Sequence, residues 1–458
     1  MSKKSIVYKN YQNPVQIKIS EVNSFGQGIA YYEDSEIYVE GALEGEVLLV
    51  EIGEPFANGS RRRPGRILSF ISKSKDRAEN FNELEHPSLY AYGHMTYEAT
   101  LRKKKQDIIS AVKKAGLSSE LVEDVHPCDI SKPSRYKSIR HFSLENGRII
   151  NGFYKSRSHE VIEISSSKYE PAWFSEFASA LCAKLTEQNI SVYDEASCNG
   201  ELRALYLRDT LEGKLCTLIL SSKASDALKL SYLNTARQFG IDSVYINVNS
   251  DRGNRILGDT TYLVDGKETV ELPLCGYRFA AGPHTFLQVN YPVACQLYEE
   301  AVSWCGEDKE SVALDLCCGV GTMSLCLSPF FKEVFGLEIV EESIIAARNN
   351  ARLNGVENVF FEVADITKGL PDHLRKKNIR AIICDPARAG IGEKACLQLC
   401  RLKAPLKLAY IFCSLTALSR DLMTLYANGF KVKAVKSFDM FPFSSHVETV
   451  VLMSRGQK

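Results

Sequence analysis

Residues 312–325 read Val-Ala-Leu-Asp-Leu-Cys-Cys-Gly-Val-Gly-Thr-Met-Ser-Leu, and this stretch decides the fold. A short apolar run that contains Asp315 breaks at Gly319 and Gly321, and then resumes as a second apolar segment. The pattern predicts a buried strand, a tight glycine turn and the start of a helix. Glycines in such a turn let the backbone approach a nucleoside-bearing ligand closely. An ordinary strand-to-helix turn is the alternative.

Around this stretch, strands and helices alternate from about residue 290 to the C-terminus. The strands are predicted at 312–317, 334–338, 359–363, 381–385, 408–413, 432–437 and 449–453, with helices at 342–353 and 417–427. This alternation predicts an α/β, Rossmann-like domain with a doubly wound parallel sheet. Its ligand is expected at the carboxyl ends of the strands.

The N-terminal part, residues 8–72, predicts a small five-stranded barrel. Short strands at 15–19, 29–32, 37–39, 46–52 and 66–71 are separated by turn-forming residues. Arg61, Arg62 and Arg63 are expected on a loop, where they suit phosphate contacts. A solvated cluster of loop charges is the alternative.

Residues 73–275 predict a central α+β domain. It begins with a basic amphipathic helix over 95–116, which we expect to pack on the catalytic domain. Its charges either face water or line a route for an RNA backbone. A hairpin follows at 141–144 and 149–154, and then strands at 161–164, 215–220 and 243–248 and helices at 171–185 and 228–239. A second candidate basic surface comprises Arg135, Lys137, Arg140, Lys155 and Arg157.

The composition limits the class of protein. Lys plus Arg and Asp plus Glu both number 56 among 458 residues, so that only local patches can indicate a nucleic-acid partner. The 14 cysteines include no C-x-x-C pair, and several lie in apolar runs, which predicts mostly buried thiols in a reducing cytosol. Neither a signal peptide nor a membrane-spanning run is evident. We therefore expect a cytoplasmic protein with no membrane partner.

Carboxylates follow three of the predicted strands. Glu338 ends the second strand, where an acidic residue accepts hydrogen bonds from ribose hydroxyls. Asp365 follows the third strand and Asp385 closes the fourth. Ser324 stands where a dinucleotide fingerprint has its third glycine, which disfavours NAD and a dehydrogenase. A nucleoside cofactor without phosphates fits better, and S-adenosylmethionine is the candidate.

Two further positions carry reactive groups. Cys413 ends the fifth strand just before a helix, where the positive helix terminus favours a thiolate. His446 and Glu448 precede the last strand and could supply a general base. The alternative is that His446 and Glu448 have only a structural role at the start of the last strand.

Together these features resemble the RNA 5-methyluridine (uracil-5) methyltransferases over essentially the whole chain. Residues 19–30 and 39–47 also resemble the TRAM module, an OB-like RNA-binding barrel. Five motifs carry the family resemblance, in the family's order: Phe286-Leu-Gln288-Val-Asn290, residues 315–321, Asp385-Pro-Ala-Arg388, residues 410–413 with Arg420-Asp421, and His446-Val-Glu448.

The resemblance implies roles for eight residues. Cys413 matches the nucleophile that adds to carbon 6 of uracil, and Glu448 matches the base that removes the hydrogen from carbon 5. The other matching positions hold the cofactor or orient the reacting groups: Gln288, Cys317, Thr322, Glu338, Asp365 and Asp385. It also implies a catalytic domain over residues 276–458.

Three departures from the family pattern matter. The usual Ser-Cys-Asn-Pro is Phe-Cys-Ser-Leu at 412–415, which affects the turn after the nucleophile. Ala387 replaces the second proline of Asp-Pro-Pro-Arg. Many relatives hold an iron–sulfur cluster on four cysteines, whose positions here fall in residues 87–93 and at Ser167. We predict no cluster and no other metal, since thiolates are what hold one.

Several alternatives remain. An exocyclic-amine methyltransferase is disfavoured, because Arg388 occupies the region of its Pro-Pro-aromatic motif, and a two-cysteine cytosine-5 enzyme is disfavoured, because no cysteine follows Pro386. A catalytically silent RNA-binding homologue is the main rival. Because the N-terminal barrel resembles the ribosomal RNA branch of the family, we expect 23S ribosomal RNA as substrate, with transfer RNA second. We expect a monomer.

Overall fold

The computed structural model describes residues 14–79, 90–155, 158–253, 255–403 and 405–456. The chain divides into two compact units. The first comprises residues 1–103, 153–162 and 441–445, and the second comprises residues 104–152, 163–440 and 446–458. The domain boundaries predicted at 72 and 275 stay predictions. No helix in the described ranges combines the length and the apolar character needed to cross a membrane.

The N-terminal residues form an open half-barrel. Its strands are β1 (Val15–Lys18), β2 (Glu21–Val22), β3 (Gln27–Tyr32), β4 (Ser35–Glu40), β5 (Val47–Ile52) and β6 (Arg62–Ser72). They make one sheet in the order β1-β5-β6-β4-β3-β2. Side chains such as Ile37, Val39 and Val50 alternate inward and form its core. The five predicted strands are present, and the two-residue β2 is added.

The loop predicted for Arg61, Arg62 and Arg63 is confirmed only for Arg61, which lies in a bend before β6. Arg62 and Arg63 begin β6, because their backbones pair with β4. The Arg62 guanidinium forms an ion pair with Glu36 at 3.2 Å, and Arg63 Nε donates to the Gly53 carbonyl at 3.0 Å. Both side chains therefore already have partners within the sheet.

The basic helix is α1 (Tyr97–Lys114), and β7 (Val122–His126) follows a short 3-10 turn. Three of the helix cations form ion pairs. Arg102 pairs with Asp76 at 2.6 Å and Lys105 with Asp124 at 2.7 Å. Lys104 is fully buried against Asp439. Carboxylates therefore neutralise three of the six basic side chains of this helix, and the use of the helix as an RNA route stays a prediction.

The central sheet has seven strands in the order β10-β9-β8-β11-β12-β13-β14. They are β8 (Lys137–Glu145), β9 (Arg148–Tyr154), β10 (Val161–Glu163), β11 (Leu202–Asp209), β12 (Lys214–Leu220), β13 (Ser243–Val248) and β14 (Thr260–Gly266). Helices α2 (Ala172–Glu187) and α3 (Asp226–Gln238) pack on one face through a shared apolar core. The predicted hairpin and both helices are confirmed. The prediction missed β11, because Arg203 and Arg208 interrupt its apolar run although both are buried.

A hairpin of β15 (Val270–Leu274) and β16 (Tyr277–Ala281) leads into the second large sheet. Its strands are β17 (Asp308–Leu316), β18 (Phe331–Glu338), β19 (Val359–Val363), β20 (Ile379–Cys384), β21 (Leu406–Phe412), β22 (Lys431–Phe438) and β23 (Glu448–Arg455). Its helices are α4 (Tyr291–Cys305), α5 (Thr322–Leu327), α6 (Glu341–Leu353), α7 (Asp372–Arg375), α8 (Gly392–Leu399) and α9 (Leu415–Ala427).

The order of this sheet is β19-β18-β17-β20-β21-β23-β22-β7. The prediction of a wholly parallel sheet is wrong, because β23 runs antiparallel to both β21 and β22. The short connection from β22 to β23 explains this, since neighbouring strands joined by a short loop run antiparallel. The edge strand β7 comes from the range predicted as the central domain. The strand order reverses between β17 and β20, where ligands of such sheets bind.

The cysteines are less buried than the sequence indicated. All 14 are free thiols, of which six are buried and eight are half-buried. The expectation that most are buried is therefore wrong. Strand and helix ends at the sheet edge, rather than the core, hold several of them, including Cys317 and Cys413.

Candidate active site

The glycine loop after β17 adopts left-handed backbone conformations. Cys317 has a φ of 64°, Gly319 of 53° and Gly321 of 87°. A Cβ atom added to Gly319 would meet nothing within 4 Å, whereas one on Gly321 would lie 2.7 Å from the Phe361 ring. Open space for a ligand therefore lies beside Gly319. Gly321 is required because the Phe361 ring packs against it. The sequence could not show that the two glycines have these different roles.

The carboxylate of Glu338 is fixed beside this loop. Its oxygens accept hydrogen bonds from three backbone N–H groups, those of Gly319 at 3.2 Å, Ile339 at 2.8 Å and Val340 at 3.1 Å. These bonds hold the acceptor in place before a ligand arrives. The predicted role as a ribose acceptor fits this geometry.

The sequence did not single out Asp315 as a site residue, although it is a carboxylate in a buried strand. The Ser324 hydroxyl donates to Asp315 Oδ2 at 2.6 Å, and Oδ1 has no partner among the described residues. Burial raises the pKa of Asp315 to about 7, because desolvation disfavours the charged form. Ser324, which replaced the expected glycine, therefore serves to hold this carboxyl group.

Backbone hydrogen bonds bring the other predicted strand-end carboxylates to the same edge. The Asp385 amide donates to the Leu316 carbonyl at 3.2 Å, so that Asp385 lies beside the end of β17. The Ala364 amide donates to the Glu338 carbonyl at 2.8 Å, which places Asp365 next to Glu338. The hydroxyl of Thr367 holds the pKa of Asp365 below its ordinary value.

For two of the predicted cofactor residues, Thr322 and Gln288, no hydrogen bond among the described residues links the side chain to the carboxylates at the strand ends. Thr322 is buried at the start of α5, directly after the glycines. Gln288 is buried in the segment between β16 and α4, and its side chain forms no hydrogen bond within the described ranges. No hydrogen bond among the described residues links Gln288 to the glycine loop.

Cys413 and Glu448 face one another across adjacent strands. Phe412 of β21 pairs with Thr449 of β23 in an antiparallel register. Cys413 directly follows β21 and Glu448 is the first residue of β23, so an extension of this register by one residue would set them opposite one another, and the Glu448 charge does act on the Cys413 thiol. Residues directly opposite on antiparallel strands project to the same face. The two reactive groups named by the resemblance are therefore neighbours.

The charges around Cys413 do not favour a thiolate, contrary to the sequence expectation. Its pKa rises to about 11, because desolvation and the carboxylates of Glu448 and Asp385 disfavour a second negative charge. Arg388 opposes this shift. The helix α9 does begin at Leu415, as predicted, but its terminus is outweighed by the carboxylates.

Glu448 and Asp385 are also perturbed. Burial raises the pKa of Glu448 to about 7, and its Oε2 has no partner among the described residues. Burial and the neighbouring Glu448 charge raise the pKa of Asp385 well above its ordinary value. Two carboxyl groups near one thiol with pKa values moved towards neutrality suit general acid–base chemistry.

Arg388 and His446 form the exposed side of this cluster. Arg388 Nη2 lies 3.5 Å from His446 Nε2. Desolvation and the Arg388 charge lower the pKa of His446 below its ordinary value. Among the described residues, Arg388 is the cation whose charge opposes the raised pKa values of both Cys413 and Glu448. From the sequence, no role of its own was predicted for Arg388, which only argued against other reaction classes.

Asp421 anchors the segment that carries Arg388. Its buried Oδ2 accepts hydrogen bonds from the Tyr410 hydroxyl at 2.6 Å and from the Ile391 amide at 3.0 Å. Arg420 donates to the other oxygen at 2.7 Å and to the Ala389 carbonyl at 2.6 Å. The Arg-Asp motif thus has a positioning role.

The turn after Cys413 tolerates the departure at 414–415. Ser414 is the N-cap of α9, and Leu415 is its first residue. The first position of a helix is where proline is favoured, since its N–H is not needed there. Leucine at that position leaves the helix start in place.

Three carboxyl groups with raised pKa values predict a pH-dependent stability. Asp315, Asp385 and Glu448 bind protons more tightly when folded, so the folded state holds more protons than the unfolded one. Their stabilising effect is complete below the unfolded pKa values near 4, and for Asp315 and Glu448 it is lost as pH rises through about 7. We expect a lower melting temperature at pH 8 than at pH 5.5.

Glu448→Gln tests this directly, because it removes one of the three groups. The raised Glu448 pKa corresponds to about 3 kcal/mol at pH 8. Calorimetry of the variant is therefore expected to show a flatter melting-temperature profile between pH 5 and 8. A profile parallel to that of the wild type would contradict the prediction.

The second candidate basic surface is smaller than predicted. Arg140 is fully buried, where it pairs with Glu170 and donates to Ser175 at 3.0 Å. Lys155 pairs with Glu160 at 3.7 Å, and Arg157 lies outside the described residues. Within the described ranges, no group of three or more His, Cys, Asp or Glu side chains could hold a metal ion. Residues 87–89 are part of the segment in which many relatives have the cysteines of an iron–sulfur cluster, and they lie outside the described residues.

Comparison with solved structures identifies the same architecture elsewhere. The crystal structure of the Pyrococcus abyssi tRNA (uracil-54, C5)-methyltransferase in complex with S-adenosyl-L-homocysteine superimposes with a TM-score of 0.75. The match covers 96% of this chain and 100% of that chain at 22% sequence identity, and so it shows a shared fold.

Sequence comparisons extend over the full chain. Proteins named as uncharacterized RNA methyltransferases from Clostridium tetani and Clostridium acetobutylicum are 31% and 30% identical. The matches cover 99% and 100% of this chain, and 98% and 100% of those proteins. The family described as tRNA (Uracil-5-)-methyltransferase matches residues 166–456. The chain belongs to the tRNA (uracil-5-)-methyltransferase family.

Proposed function

We propose that this protein methylates carbon 5 of a uridine in RNA, with S-adenosylmethionine as methyl donor and Cys413 as covalent nucleophile. The observation that carries the proposal is that Cys413 and Glu448 adjoin the last residue pair of the antiparallel register, Phe412 with Thr449, so close that the Glu448 charge raises the pKa of Cys413. Family membership supports the reaction class.

The residues of the glycine loop fit a nucleoside cofactor. Open space lies beside Gly319, and the Glu338 carboxylate is held by backbone N–H groups as an acceptor for ribose hydroxyls. Further contacts would come from the remaining predicted residues: Gln288, Cys317, Thr322 and Asp365. When bound, S-adenosylmethionine supplies an electrophilic methyl group.

The chain's own residues supply the rest of the chemistry. Cys413, once deprotonated, adds to carbon 6 of the uracil, and carbon 5 thereby becomes nucleophilic. Arg388 offsets the carboxylates that oppose the thiolate. After carbon 5 carries the methyl group, Glu448 takes up the proton from that carbon. The carbon–sulfur bond then breaks and returns the thiolate. A base with a pKa near 7 suits this transfer at neutral pH.

Asp385 has a separate role in this scheme. Its raised pKa favours the neutral carboxylic acid, which can donate a hydrogen bond to a uracil carbonyl oxygen. Such a bond would stabilise the enolate formed when Cys413 adds. Asp385 would therefore orient the base and stabilise developing charge, while Glu448 moves the proton.

The substrate proposed first is 23S ribosomal RNA, because the N-terminal half-barrel resembles a TRAM module. Transfer RNA is the second candidate. It is favoured by the Pyrococcus abyssi transfer RNA enzyme, whose fold matches 96% of this chain and so covers much of the same N-terminal region. We propose that the protein acts as a cytoplasmic monomer, and the target base must be unpaired or flipped to reach a thiol.

Mass mapping of 5-methyluridine tests the function and the substrate together. Ribosomal and transfer RNA from a strain that lacks the gene are incubated with the purified full-length protein and S-adenosylmethionine. We expect one fraction to gain 5-methyluridine at a defined position. The Cys413→Ala protein is the control. If neither fraction gains the modification, the silent RNA-binding alternative is favoured.

A further inference from the structure

Arg208 is a buried cation with unsatisfied donors. Its side chain is 1% exposed in β11, and Nη2 donates to the Thr285 carbonyl at 2.6 Å. The other two guanidinium nitrogens, Nε and Nη1, have no hydrogen-bond partner among the described residues. A buried charge with two unsatisfied donors and no counter-ion is costly, so it calls for an explanation.

A second cation lies directly opposite. Lys137 of β8 is the cross-strand partner of Arg208. Like charges at directly opposite positions destabilise an antiparallel pair. The neighbouring Arg208 and Arg135, together with desolvation, lower the pKa of Lys137 to about 8. An anion between the two side chains would remove this repulsion.

No carboxylate among the described residues fills that place. Within the described ranges, Arg135, Lys137 and Arg208 take part in none of the ion pairs, which involve other cations. The nearby Asp209 carboxylate already accepts hydrogen bonds from Trp173 Nε1 and the Leu211 amide, both at 2.7 Å. The three cations therefore form a positive cluster without an internal counter-ion.

The cluster adjoins the segment that carries Gln288. The Tyr136 amide donates to the Val289 carbonyl at 2.8 Å, and the Tyr291 hydroxyl donates to the Asp209 carbonyl at 2.7 Å. Arg208 reaches the same segment at Thr285. The cluster is thus fixed to the chain between β16 and α4.

An aromatic ring completes the edge of the cluster. Phe286 is 64% exposed, and Lys137 Nζ lies 5.7 Å from its ring centroid. An exposed aromatic ring beside cations can stack a base while the cations neutralise the adjoining phosphate. This pair of groups favours a nucleic-acid phosphate over a small inorganic anion.

We propose that Arg135, Lys137 and Arg208 form a binding site for a backbone phosphodiester of the RNA substrate, next to the predicted cofactor residue Gln288. The site rests on the proposed function, because it assigns a part of the same substrate. It explains why a protein of zero net charge keeps three cations together without a counter-ion.

Salt-dependent binding of a fluorescein-labelled decauridylate to the full-length protein tests the site. Arg208→Ala removes a buried side chain and risks misfolding, so Lys137→Met is the main variant and Arg135→Gln the second. Lys184→Met is the matched control, because Lys184 is exposed on α2 and pairs with Glu187 at 3.0 Å. For Lys137→Met we expect affinity to fall about tenfold at 100 mM salt and the salt slope to fall by about 0.7.

Two further measurements separate a binding role from a structural one. Lys137→Met should melt at or above the wild-type temperature, since the cross-strand repulsion is removed. Its affinity for S-adenosylmethionine should be unchanged. A wild-type affinity and salt slope in Lys137→Met would overturn the site, as would lost cofactor affinity with unchanged RNA affinity. Binding needs no turnover, so a failure to form 5-methyluridine would refute the function alone.

Discussion

Cys413→Ala is expected to abolish both methylation and the covalent adduct with RNA that contains 5-fluorouridine. The thiol forms the bond to carbon 6, and alanine has no atom that can replace it. A nucleophile of this kind typically contributes at least about 10⁴-fold to the rate. The measurements are radioactive methyl transfer and a gel that retains the covalent protein–RNA complex under denaturing conditions.

The fluorine makes this experiment decisive. A base can remove a hydrogen from carbon 5 as a proton, whereas it cannot remove fluorine in the same way, so the adduct persists. Cys400→Ala is the matched control, because Cys400 is another half-buried thiol, at the end of α8. It should form the adduct as the wild type does. An adduct formed by Cys413→Ala would assign the nucleophile to another thiol.

Glu448→Gln is expected to have the opposite effect on the adduct. Without a base for the proton on carbon 5, the methylated intermediate remains attached to Cys413. Turnover should fall about 10²- to 10⁴-fold, while adducts accumulate even with ordinary uridine. Denaturing gels and intact-protein mass spectrometry of the reaction mixture measure both quantities.

The pH profile provides an independent check on Glu448. A base with a pKa of about 7 must be ionised to act, so the wild-type rate should rise as pH increases through 7. Glu300→Gln is the control, since Glu300 is a half-buried carboxylate paired with Lys436 at 2.9 Å. It should keep the wild-type profile. Full turnover by Glu448→Gln would shift the assignment of the base towards His446.

The local pattern of the sequence was sufficient for most strands and helices and for the position of the candidate site. Glu338, Asp385 and Cys413 each follow a predicted parallel strand, and the carboxyl ends of such strands meet at one edge. The backbone contacts of Leu316 with Asp385 and of Glu338 with Ala364 agree with that reasoning. Asp315, Arg388 and Asp421 were undervalued, because their importance depends on partners that sequence spacing does not reveal.

Whether a basic residue forms an ion pair within the protein depends instead on contacts with residues that are distant in the sequence. Lys104 is neutralised by Asp439, which is 335 positions away, and Arg140 by Glu170. In the sequence these cations look the same as Lys137 and Arg208, which have no such partner. Only the fold separates cations that stabilise the protein from those that are available to a ligand.

The sequence by itself determined the alternating α/β pattern, the glycine loop and the order of the reactive side chains, because these depend on local periodicity and turn chemistry. The tertiary structure decided the antiparallel direction of β23, and with it the closeness of Cys413 and Glu448. It also decided the pKa values of these two groups. Burial and neighbouring carboxylates raise the pKa of Cys413 to about 11, and burial raises that of Glu448 to about 7, because of residues that come together only in the folded chain.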